Sequence, residues 1–206
     1  MGESGAGRTG LTAAGWAQLH HGIDPDRVPL LRPWLTFVWT IARPLRRVPP
    51  LAITIAGALL AVVAVVVVIA SPVVALVLVL ASVLCDALDG AVALAADRAT
   101  KFGSVADKVA DRIADAAFAL VVWRSGAPLW LALVAGGSTL LLEGVRTVRG
   151  GAAATRITVA ERPSRTICTV LACGAAAVST AGWPPTVCAA VWAALGVAGV
   201  VQVAVA

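Results

Sequence analysis

The chain has no tyrosine, one methionine and two histidines, and only 13% of its 206 residues are charged. An ordinary soluble domain carries about 25% charged residues. This shortage, with 60% hydrophobic residues and a mean hydropathy of +0.93, excludes a soluble globular domain, a disordered chain and a collagen-like repeat. The four cysteines, Cys85, Cys168, Cys173 and Cys188, lie in apolar runs without metal-type Cys/His spacing. They read as small packing residues, not as a disulfide framework. What is abundant is apolar length. Seven tryptophans supply most of the aromatic surface, several near expected membrane boundaries, where amphipathic rings prefer to lie. The net charge of +5 is distributed as a topology signal, and no nucleic-acid partner is expected.

A helix needs about 20 apolar residues to cross the hydrocarbon core. Six stretches reach or approach that length: Leu51–Ala70, Pro72–Ala96, Ser104–Trp123, Ala127–Arg146, Pro163–Ala181 and Pro185–Ala206. Ser71-Pro72, Ser125-Gly126-Ala127-Pro128 and Gly182-Trp183-Pro184-Pro185 mark breaks between them. The expected fold is an all-α integral membrane protein with six transmembrane helices. Arg43, Arg46 and Arg47 precede the first span, and Arg98 and Lys101 separate the second from the third. Arg146, Arg149, Arg156, Arg162 and Arg165 surround the connection from the fourth to the fifth, whereas the opposite turns contribute only Arg124. The positive-inside rule then puts both termini on the cytoplasmic side of the cell membrane.

The first residues differ from the rest. Residues 1–15 are rich in Gly, Ala, Ser and Thr and have no apolar core, so a secretory signal is not expected. A flexible cytoplasmic stretch is expected over 1–31, an amphipathic interfacial helix over 32–47, and the membrane domain over 48–206. Trp34, Phe37, Val38, Ile41 and Leu45 recur at helical spacing with arginines at the flanks, which fits a helix lying on the cytoplasmic leaflet; a short connector fits equally well. His20, His21, Asp24 and Asp26 read as a solvated loop more readily than as a metal cluster.

Charged side chains inside spans are costly, and here they are ordered. Asp86 and Asp89, with Asp97 at the cytoplasmic end, belong to the second span; Asp107, Asp111 and Asp115 belong to the third. Asp86 and Asp89 stand at i and i+3, and Gly103, Asp107, Asp111 and Asp115 at steps of four, so each set shares a helix face. Two consecutive antiparallel helices would present these faces to each other near the cytoplasmic surface. Four carboxylates in one niche carry −4, which desolvation forbids unless it is neutralised. Two divalent cations would do so, and oxygen-only ligands suit Mg²⁺ or Mn²⁺. Such a site serves displacement at phosphorus, with Gly90 and Gly103 allowing a phosphorylated ligand close to the backbone. Protonation, as in a proton relay, and pairing with Arg98, Lys101, Lys108 and Arg112 are the other ways to neutralise it.

The spacing Asp86-x2-Asp89-Gly90-x2-Ala93-Leu94-x8-Gly103-x3-Asp107-x3-Asp111 resembles the D-x2-D-G-x2-A-R-x8-G-x3-D-x3-D motif of the CDP-alcohol phosphotransferases. Seven of eight fixed positions match over 26 residues, and the six-helix topology of that family agrees with the spans above. The resemblance implies that Asp86, Asp89, Asp107 and Asp111 hold two Mg²⁺ or Mn²⁺ ions and that Asp111 is the general base. It further implies that Gly90, Ala93 and Gly103 shape the cytidine pocket, and that an alcohol attacks CDP-diacylglycerol and releases CMP. Homodimerisation is likewise a family-level expectation. Two departures stand out. The motif arginine is Leu94, leaving Arg98 or Lys101 to reach the donor phosphate, and where relatives show P-N-x-x-T before the first span this chain has Pro50-Leu51-Ala52-Ile53-Thr54, which keeps Thr54 but not the asparagine.

Asp111-Arg112-Ile113-Ala114-Asp115 and Ala160-Glu161-Arg162-Pro163-Ser164-Arg165 are similar to segments of the phosphatidylinositol-phosphate synthase branch. Arg146, Arg162 and Arg165 would then bind the acceptor's phosphate, since guanidinium forks grip phosphate at two points. Glycerol 3-phosphate as acceptor, a non-catalytic paralogue marked by Leu94, and a small proton-coupled transporter are the competing expectations. The transporter is disfavoured because the carboxylates cluster near the cytoplasmic ends and no inverted repeat is present.

Overall fold

The computed structural model describes residues 31–96, 98, 100–151 and 157–205. Residues 1–30, which include His20, His21, Asp24 and Asp26, lie outside the described residues, as do Asp97 and Arg156. Among the described residues there are seven α-helices and no strand: α1 (Leu31–Leu45), α2 (Pro50–Val67), α3 (Pro72–Ala95), α4 (Lys101–Arg124), α5 (Leu129–Arg149), α6 (Arg162–Val178) and α7 (Trp183–Ala204).

The helix ends follow local chemistry. Ser71 caps α3 by accepting the Val74 N–H, and Thr100 caps α4 by accepting the Gly103 N–H at 3.0 Å. Proline stands at the first turn of α2, α3, α6 and α7, where its missing N–H costs nothing. The fifth expected span ends earlier than its apolar run, because Ser179 turns extended after Val178. Gly126 (φ +122°) makes the α4–α5 turn; a side chain at Gly182 would stand 3.1 Å from its carbonyl oxygen, so the α4–α5 and α6–α7 turns touch.

Four helices, α2, α3, α5 and α7, are long and apolar enough to cross a membrane. The other two long helices of the bundle depart for different reasons. α4 has 24 residues, but its first 15 carry Asp107, Lys108, Asp111, Arg112 and Asp115, and α6 has only 17 residues. The core is built from small side chains, with Ala61, Ala64, Ala75, Ala114, Ala117, Ala135, Ala172 and Ala189 packed around Phe118 and Trp192. The larger aliphatics point outward: Leu59, Val66, Ile69, Val77 and Leu80 are all exposed. This inversion suits lipid, which gives bulky apolar groups no reason to hide and rewards close backbone approach.

α1 divides its apolar residues between two faces. Leu35, Val38 and Ala42 are buried, and Val38 and Ala42 belong with Ile53, Leu88, Ala91 and Val92 to one cluster. Trp34 and Phe37 stay exposed, ring centroids 5.9 Å apart. α1 is thus docked on the half of α3 that carries Asp86 and Asp89.

Candidate active site

α3 and α4 carry the four motif carboxylates, yet the two helices hardly touch. Each packs instead on α2 and on α6, which hold them apart. The two helices face each other across a niche floored by α2 and roofed by α6, and do not pack side to side. The niche is lined by Thr54, Gly57, Ser82, Asp86, Asp89, Asp111 and Arg162.

Ligand oxygens of Asp86, Asp107 and Asp111 all lie within 4.8 Å of one another. Three anionic oxygens so close, from an all-oxygen donor set, fit a hard divalent cation. Asp89 stands beside them, buried at 6% exposure, with Oδ2 accepting the Thr54 hydroxyl at 2.5 Å. Thr54 therefore orients a motif carboxylate. Ser82, one turn before Asp86, is buried and lines the same niche.

The glycines differ in what demands them. Nothing lies within 4 Å of where a Cβ on Gly90 would stand, and Gly90, next to Asp89, is exposed. A Cβ on Gly103 would meet the capping Thr100 hydroxyl at 3.1 Å. Gly90 is thus free of any packing demand, whereas Gly103 serves the α4 cap. Ala93 and Leu94 are half-buried on the same helix; Arg98 on the link and Lys101 at the start of α4 are exposed.

Among the described residues no ion pair joins Arg98, Lys101 or Lys108 to the carboxylates. Their counter-charge comes from α6. Arg162 Nη1 donates to Asp86 Oδ1 and to Asp111 Oδ1, at 2.5 Å each. Its neighbour Arg165, 3% exposed, donates to Asp115 and lies 3.6 Å from Glu143. Arg112 lies 3.4 Å from Asp115 and 3.7 Å from Glu143. Arg146 donates to Glu143 at 3.2 Å and to Glu161 at 2.5 Å. The Thr158 N–H also donates to Glu161, at 2.8 Å. Burial alone would raise the Glu161 carboxyl, but hydrogen bonds from Arg146 and Thr158 outweigh it and hold the group below its ordinary range. Arg149 turns elsewhere, donating to the Val203 carbonyl and tying α5 to the end of α7.

The sequence reading passed over Glu143, Ser82 and Thr158. Glu143 had a signal, a lone acid in an apolar helix three residues before Arg146; Ser82 and Thr158 had none beyond their neighbours.

A family model of the CDP-alcohol phosphatidyltransferases matches residues 47–204. The chain belongs to this family: it is a membrane protein of the class that transfers a substituted phosphate group from a CDP-linked donor to an alcohol. No curated protein matches the chain.

Proposed function

We propose that the protein moves the phosphatidyl group of CDP-diacylglycerol to a phosphorylated polyol of the inositol-phosphate kind and releases CMP. The observation that carries this reading is the contiguity of two sets of groups. The carboxylates that suit a CDP-linked diphosphate and the arginines that suit an anionic acceptor meet at Arg162, on one end of the bundle. In this reading α4 and α6 cross the membrane with the four apolar helices, the termini and the niche face the cytoplasm, and the chain works as a homodimer.

Asp86, Asp89, Asp107 and Asp111 would hold two Mg²⁺ or Mn²⁺ ions, which when bound spread the negative charge of the diphosphate. Thr54 fixes Asp89 by its hydroxyl. Gly90 and Ala93 leave the wall of the niche low for the cytidine end of the donor, with Arg98 and Lys101 at the rim and Gly103 at the α4 cap. Asp111 accepts the proton of the acceptor hydroxyl as that oxygen attacks the lipid-side phosphorus. The bond from this phosphorus to the bridging oxygen breaks, and CMP leaves with that oxygen. Arg146, Arg162 and Arg165 orient the acceptor through its phosphate.

The test is CMP release by purified protein from CDP-diacylglycerol and Mn²⁺ with inositol 1-phosphate, inositol or glycerol 3-phosphate supplied one at a time. The reading expects turnover with inositol 1-phosphate; turnover with glycerol 3-phosphate alone would transfer the protein to another branch. A second reading, a non-catalytic paralogue, is favoured by one observation, Leu94 in the place of the motif arginine. Leu94→Arg separates them. It should raise turnover or lower the donor KM of a working enzyme, and it cannot create turnover in a scaffold unless that one cation was all it lacked.

A further inference from the structure

The three arginines expected to hold acceptor phosphate are not equivalent. Arg165 is paired with Asp115 and lies near Glu143, and Arg146 is paired with Glu143 and Glu161. None of those three acids is a motif carboxylate. Arg162 alone is held by two motif carboxylates, and by one nitrogen: Nη1 stands 2.5 Å from both Asp86 Oδ1 and Asp111 Oδ1. These residues are two of the three whose oxygens come together as a cation cradle. Nη1 and a divalent ion would compete for these two carboxylates, because both draw on the same negative charge. Arg162 Nε is buried without an acceptor, as Arg165 Nε is, so the distinction of Arg162 rests on its two carboxylate partners.

We propose that Arg162 is an exchange residue: Asp86 and Asp111 hold it until it yields their oxygens to a divalent cation, and it then turns to a phosphate of the substrate. This rests on the metal reading above and adds an order to it. Charge supports the order. Four carboxylates and two divalent ions sum to zero, so a released Arg162 leaves the loaded niche with a surplus of one positive charge beside the reacting groups. Arg162 would thus be unavailable to phosphate before the metal arrives and available after. Arg146 and Arg165, whose acids no metal claims, would not change partners.

The test reads the arginines directly in the full chain in detergent. Phenylglyoxal labelling is mapped by mass spectrometry at Arg146, Arg162 and Arg165, without metal, with Mn²⁺, and with Mn²⁺ plus either CDP or inositol 1-phosphate. Bound Mn²⁺ is counted separately by electron paramagnetic resonance. Labelling of Arg162 is expected to rise several-fold with Mn²⁺ while Arg146 and Arg165 stay constant. It should fall again with whichever probe supplies the phosphate: CDP if Arg162 serves the donor, inositol 1-phosphate if it serves the acceptor. Protection by neither overturns the hand-over to phosphate. Bound Mn²⁺ with unchanged Arg162 labelling overturns the exchange and leaves the metal site standing, whereas absence of bound Mn²⁺ overturns the metal site itself. Arg162→Gln gives a second measurement. Freed of a competing cation, the niche should bind Mn²⁺ more tightly by roughly two- to thirtyfold, the worth of two partly exposed ion pairs; weaker binding would mean that Arg162 braces the carboxylates and does not compete for them.

Discussion

Asp111 and Gly90 carry the sharpest claims at the scale of single residues. Asp111 belongs to the cation cradle and pairs with Arg162, and the proposed role as base requires its charge. Asp111→Asn keeps the shape and removes the charge. We predict that turnover falls by about 10²-fold or more, the ordinary worth of a positioned base, while thermal stability in detergent changes little; undiminished CMP release would remove Asp111 from the chemistry. Gly90→Ala tests the wall of the niche. Alanine favours a helix over glycine by about 1 kcal/mol, and no atom stands in the way of the new methyl, so the fold should be unharmed or slightly stabilised. A raised KM for the CDP-linked donor is expected all the same, because the methyl would occupy the path of the ligand. An unchanged KM would show that the donor does not approach α3 there.

At the scale of elements, the helices are held by close contact of small residues. A Cβ on Gly196 of α7 would fall 2.0 Å from Ser138 Oγ and 2.8 Å from Ser138 Cβ on α5. Nearby, the Trp192 indole N–H donates to Thr139 Oγ1 at 3.0 Å and fixes the same pair of helices. Gly196→Ala should therefore cost about 1–3 kcal/mol, the usual penalty of overpacking, seen as a lower melting temperature. Adding Ser138→Gly should restore part of it; a neutral Gly196→Ala would mean that α5 and α7 are free to move apart. Elements are also where the sequence was most and least readable. The 3- and 4-residue spacing of the aspartates put Asp86 with Asp89 and Asp107 with Asp111, because a helix face is a local property. That α3 and α4 stand apart on α2 and α6 was not readable, since it depends on which apolar faces find each other. Nor was the partner of Asp86, as Arg162 lies 76 positions further along the chain.

At the scale of the whole molecule, hydropathy announces a membrane protein, and the motif together with the match over residues 47–204 places it in its family. Composition alone gives four helices that satisfy a membrane on every count. The motif carboxylates and the arginine paired with them are divided between α3, one of those four, and α4 and α6, which are not among them; charged side chains are the ones a bilayer tolerates least. Apart from Arg124, the charges on α4, α5 and α6 are gathered at one end, and the core of the remaining bundle is rich in small residues while many large aliphatics face outward. The account stands or falls on one measurement, CMP release from CDP-diacylglycerol by the purified protein as acceptor alcohol and Mn²⁺ are each withheld and restored. Release that requires both is the predicted result. Protein that is folded and binds Mn²⁺, yet releases no CMP with any acceptor offered, would contradict it.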